Sequence, residues 1–168
     1  MPYPNGFGSF KEYEAFAREI IEELRGATGG NVELGVQGSA ATNESWEEPG
    51  TPFRAESDFD VAIFSETLAQ RVKNHYGGYD FNRQGPVGPV TKQLALELGI
   101  QDFFSNHRAV KSSVTGPWHE VKFAIYEGSW QTGPKATIVS AISDGGFRTS
   151  FKRGYRYGTI IHGKRQLV

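Results

Sequence analysis

The sequence predicts an α/β (α+β) fold, a small mixed β-sheet flanked by helices. Three observations predict it. Residues 9–25 repeat apolar side chains at helical spacing. Residues 31–37 and 119–126 alternate apolar with polar side chains, as half-buried strands do, and the apolar run at 59–64 reads as a strand between them. The order is helix, strand, helix start, strand, helices, strand, which suits helices laid on a sheet.

The first helix opens on Ser9, with Glu12 three residues on, the pattern of a capping box. Tyr13, Phe16, Ile20 and Leu24 form its apolar stripe, and Gly26, Gly29 and Gly30 stop it. Val32, Leu34 and Val36 share one face of the strand at 31–37. Gly38-Ser39-Ala40-Ala41 follows at once and reads as a turn into a helix. Residues 43–57 are polar and contain Pro49, Gly50 and Pro52, so they predict a loop. A second strand spans 59–64 and a short helix 66–75. Six Gly and Pro residues make 77–90 a long loop, the kind that is often functional. Thr91 caps a helix to about Leu98, Gly99 breaks it, and further helical turns run over 101–107. Residues 110–117 read as loop and 119–126 as a third core strand. Residues 137–142 fit strand and helix equally.

At 168 residues the chain suits one domain with a single core. We expect a catalytic body at 1–147 and a basic, aromatic segment at 148–168 within the same domain. Residues 148–168 hold six Lys or Arg and no acid, whereas 1–147 hold 12 basic and 19 acidic residues. Such polarity often meets phosphate. Having no cysteine, the chain makes neither disulfides nor thiolate metal sites. It has no apolar run long enough to span a membrane. The opening MPYPNGFGSF lacks the basic-then-apolar pattern of a signal peptide.

The chemistry concentrates in Ser57-Asp58-Phe59-Asp60-Val61. Along a strand Asp58 and Asp60 point the same way, about 6.5 Å apart in rise, while Phe59, Val61 and Ile63 face the core. Two adjacent carboxylates repel unless a cation or proton neutralises them. Mg²⁺ (or Mn²⁺) takes such oxygens and shares them with substrate phosphates. Gly38 permits a tight turn, and backbone N–H groups there, with the Ser39 hydroxyl, suit a phosphate. Each feature alone is commonly a plain turn or a solvated strand end. In this order, with strands on both sides, they suggest phosphoryl-type chemistry.

Strand, Gly38-Ser39, helix, and then Asp58-Phe59-Asp60-Val61 on the next strand resembles the nucleotidyltransferase superfamily, with its DNA polymerase β-like catalytic fold. More narrowly, GSAATN, GTPF and SDFDVAIFS are similar to nucleotidyltransferase-like toxin domains of bacterial polymorphic and contact-dependent inhibition systems. The resemblance covers residues 11–126. It implies a nucleotidyltransferase-like fold and transfer of a nucleoside monophosphate from an NTP to an acceptor hydroxyl. Gly38 and Ser39 would hold the triphosphate, and Asp58 and Asp60 would hold Mg²⁺. The acceptor would be RNA, such as a tRNA, or a protein. The domain would be delivered into a target cell as part of a larger toxin, act in the cytoplasm and meet a cognate immunity protein. Residues 43–57 make the Ser39–Asp58 interval longer than the superfamily's. A third carboxylate is usual on a later strand. Glu120 is the candidate, and Lys122 or Glu127 could face the site instead.

Arg54 and Lys73 could contact phosphates, although exposed cations are usually solvated. His107 and His119 could act as bases or be structural. Phe147, Phe151, Tyr155 and Tyr157 interleave with Arg148, Lys152, Arg153 and Arg156, which suits base stacking or a packed strand. Trp118 and Trp130 read as packing residues, and Trp46 as packing or a lid. Two other readings remain. One is a non-catalytic nucleotide- or partner-binding module of the same fold. The other is a metal-dependent nuclease toxin using the same aspartates.

Overall fold

The computed structural model describes residues 3–37, 57–116, 118–128, 135–141, 147–153, 159–161 and 164–166. They form a mixed α+β arrangement, with helices on one face of a mixed sheet. Helix α1 spans Phe10–Thr28. Ser9 caps it by accepting from the Glu12 N–H at 3.2 Å. The Glu12 carboxylate accepts from the Gly8 N–H rather than from that of Ser9, so the expected box closes one residue early. Gly26 does not stop the helix. It ends at Gly29, whose φ of 72° is open to glycine and whose N–H donates to the Arg25 carbonyl. Tyr13, Ala17, Ile20, Ile21 and Leu24 are buried along one stripe.

Strand β1 (Glu33–Gln37) pairs antiparallel with β2 (Phe59–Phe64). Helix α2 (Glu66–Tyr76) begins on Ser65, which accepts from the Leu68 N–H. The expected 77–90 loop is partly ordered by hydrogen bonds. Asp80 caps a single turn, α3 (Phe81–Gln84). Val87 exchanges backbone bonds with Ile125, and the Val90 N–H donates to the Phe123 carbonyl. Gly88 lies so close to this strand that a Cβ there would sit 2.8 Å from the Cα and Cβ of Ala124 and the Phe123 carbonyl. Helices α4 (Lys92–Glu97), capped by Thr91, and α5 (Gln101–Asn106) follow.

Strand β3 (Ala109–Lys111) falls in the stretch expected to be loop. It pairs antiparallel with the start of β4 (Trp118–Tyr126). A three-residue strand carries too little alternation to be legible from sequence. The ambiguous 137–142 region is strand, β5 (Lys135–Ala141), and β6 is Phe147–Arg153. Two short strands, β7 (Thr159–Ile161) and β8 (Lys164–Gln166), pair with each other. The main sheet runs β3-β4-β2-β1-β5-β6. Within it β2 and β4 are parallel, and the other pairs are antiparallel. β6 pairs along its length with β5, so residues 147–153 complete the sheet at one edge.

One face of the sheet carries Leu34, Val36, Phe59, Val61, Ile63, Val121, Phe123 and Ile125. These join the buried residues of α1 to α5 in a single core. Arg71, in the middle of α2, donates to the carbonyls of Leu98 and Ala27, fastening the ends of α4 and α1 to it. The opposite face has a smaller cluster of Ala62, Phe64 and Tyr126, with Ala124 against it. Among the described residues no helix is long and apolar enough to cross a membrane.

Candidate functional site

Strict alternation divides β2 and β4 between two environments. The odd-numbered residues from Phe59 and Val121 onward enter the main core, so the even-numbered ones take the second face. That face is apolar toward Phe64 and Tyr126. Toward the start of both strands it carries Asp60, Glu120 and Lys122, with Asp58 just ahead of β2. The parallel register sets Asp60 beside Lys122, and the antiparallel register sets Gln37 on its other side. Asp60 therefore sits between Lys122 and the last residue of β1.

Lys122 does not stop at its register neighbour. Its Nζ lies 2.8 Å from Asp58 Oδ2, with both side chains partly exposed. The Asp58 hydrogen bond holds the Lys122 ammonium above the ordinary lysine range. Desolvation opposes this, and the charges of Asp58, Glu120 and Asp60 add to it. So three carboxylates act on one ammonium. Lys122, one of the residues that could face the site, contacts Asp58. Glu120 is exposed on the same face, opposite Ala109 of β3. Among the described residues no three His, Asp or Glu side chains converge as a metal site.

Tyr126 has no mark in the sequence beyond ending an apolar strand. In the fold it is buried, and its hydroxyl donates to Gln37 Oε1 at 2.9 Å. Burial pushes its phenol up to about 12, the Gln37 bond opposes the shift, and the Asp60 charge adds to it. Tyr126 thus links the end of β4 to the end of β1 across β2.

The entry to β2 is fixed from the core side by His119. Its Nδ1 lies 2.5 Å from the Ser57 carbonyl and its Nε2 2.5 Å from Thr115 Oγ1. Its ring meets Phe59 edge-on at 5.2 Å. Only 1% of it is exposed, on the face opposite the acids. The structural alternative therefore holds for this residue: His119 positions the residue before Asp58. His107 is likewise engaged, with Glu23 Oε2 at 2.5 Å, and ties α5 to α1.

Lys73 is paired with Glu127, and its Nζ is 6.0 Å from the centroid of Phe81. Glu127 follows the end of β4, whereas Asp58 precedes the start of β2. At the strand rise, that places them roughly 20 Å apart along the sheet. The fold does not bring Lys73 to the aspartates. Trp118, expected as a packing residue, is 66% exposed at the start of β4. Gly38, Ser39, Trp46, Arg54, Trp130, Tyr155, Arg156 and Tyr157 lie outside the described residues.

Asp58 and Asp60 offer a hard cation the oxygen donors it prefers, with an ammonium already occupying part of their charge. No family model matches the chain, and comparisons with curated proteins and with solved structures likewise give no match.

Proposed function

We propose that the protein is a metal-dependent nucleotidyltransferase, moving a nucleoside monophosphate from an NTP to an acceptor hydroxyl. The observation that carries this reading is the meeting of Asp58 and Asp60 with the end of β1 on one sheet face. Gln37, the register partner of Asp60, is the residue directly before Gly38 and Ser39 in the chain. The acid pair and the last residue before Gly38 thus belong to one end of two paired strands.

In this reading Asp58 and Asp60 hold Mg²⁺, which supplies charge neutralisation at the phosphates when bound. The N–H groups and hydroxyl of Gly38-Ser39 orient the triphosphate. The acceptor oxygen bonds to the α-phosphorus as the bond to the β-phosphate bridging oxygen breaks, and pyrophosphate leaves. In the same reading Glu120, exposed on this face, takes the acceptor's proton. Positioning and electrostatics carry most of the rate in such chemistry. The resemblance to toxin domains makes RNA, such as a tRNA, or a protein the acceptor.

The test is incubation with α-labelled NTPs, Mg²⁺ and total RNA or cell protein. Label joined to an acceptor, and lost in Asp58→Ala with Asp60→Ala, supports the reading. Fragmented RNA without label would indicate a nuclease. Neither outcome, with intact folding, would indicate a binding module.

A further inference from the structure

We propose that Lys122 is an exchangeable counter-ion of the acid pair, displaced from Asp58 by a metal-bound polyphosphate and taken up by the phosphate oxygens. The inference rests on the metal-site reading above and concerns how that site selects its ligand.

Lys122 Nζ sits on Asp58 Oδ2, although the register neighbour of Lys122 is Asp60. Its flexible stem therefore reaches past its register neighbour to the carboxylate ahead of β2. The Lys122 side chain is 40% exposed and that of Asp58 33%. The ammonium can leave without opening the core, and a solvent-screened pair of this kind is weak. It is not an arbitrary surface pair, because Lys122 lies beside Asp60 in register and shares its strand face with Glu120. Lys73 is engaged by Glu127 at the far end of the strands.

A divalent cation arriving alone must strip Lys122 from Asp58 and leave an ammonium facing a second positive charge. A cation arriving on a polyphosphate brings the anion that the ammonium then needs. The two ligands are thereby coupled, and by linkage each raises the affinity of the other. The site favours the metal–polyphosphate complex over the bare metal. A permanent structural ion pair would show no such coupling.

Calorimetric titration of the full chain with Mn²⁺ alone, and with preformed Mn²⁺–tripolyphosphate, tests this. For the native protein we expect the complex to bind about tenfold more tightly than the bare metal, within the usual range of coupling. In Lys122→Met the bare metal should bind several-fold more tightly and the complex several-fold more weakly, so the preference collapses. Lys122→Gln serves as a second variant, with circular dichroism confirming the fold of each. An unchanged preference in both variants overturns the proposal. The Asp58→Asn/Asp60→Asn protein separates the two levels of argument. If it loses binding while Lys122→Met keeps the native preference, the metal site stands and the exchange falls. If it binds as the native chain does, or the native chain binds neither probe, both fall.

Discussion

Lys122 crosses the parallel strand pair diagonally, reaching Asp58 at 2.8 Å rather than ending on Asp60, the residue beside it in register. The contact joins the residue just before β2 to the middle of β4. It gives the acid-bearing face a partly neutralised resting state. A bare pair of aspartates would repel, and the protein supplies its own cation for one of them.

Replacing Asp58 or Asp60 by Asn should therefore separate activity from folding. We expect label transfer to fall by about three orders of magnitude or more, on the scale of lost electrostatic stabilisation. Because the Lys122–Asp58 pair is partly exposed, stability should change by less than about 1 kcal/mol. Parallel transfer assays and urea unfolding would check this. A variant retaining native transfer rates would remove these residues from the chemistry.

His119→Ala should show the reverse pattern. The ring has two hydrogen-bonded nitrogens and an edge-on contact with Phe59. Removing it leaves a cavity and takes a partner from two part-buried groups, with an expected loss of about 2–4 kcal/mol. The folded fraction should keep the pH–rate profile of the native protein. Loss of one limb of that profile would instead mark His119 as the base.

Gly88→Ala tests the close approach of the 87–90 segment to β4. The new methyl would meet backbone and Cβ atoms at 2.8 Å, none of which can rotate away. Overpacking of this kind costs about 1–3 kcal/mol. The expected readout is a lower urea midpoint with an unchanged slope. Unaltered stability would mean that the segment shifts without penalty.

Alkaline pH should destabilise the fold through its buried tyrosines. Burial raises the phenols of Tyr13 and Tyr126, the latter to about 12, from an ordinary value of 10.0. Between those two values the unfolded chain loses the Tyr126 proton while the folded chain keeps it. Stability is thus fully present below pH 10 and falls as pH rises toward 12, by on the order of 2 kcal/mol for Tyr126. Tyr126→Phe should flatten part of that decline, and Tyr13 should leave a residual slope. Urea midpoints across this range would measure it. An identical decline in Tyr126→Phe would show that Tyr126 does not carry it.

The sequence by itself determined the longer helices, the central strands β1, β2 and β4, and the face on which their residues sit. Ser9 and Thr91 announce helix starts because a short hydroxyl side chain accepts from an N–H that the helix leaves unpaired. Alternation placed Phe59, Val61 and Ile63 in the core and Asp60 on the other face, since successive strand side chains point oppositely. Only the tertiary structure decided which strands are neighbours. That β4 lies parallel to β2, so that Lys122 rather than Glu120 touches Asp58, depends on pairing across about 60 residues of chain, which periodicity does not encode. The same holds for Tyr126 reaching Gln37 and His119 holding Ser57. Their partners are set by the packing of separate elements, and nothing within a few residues of either one announces it.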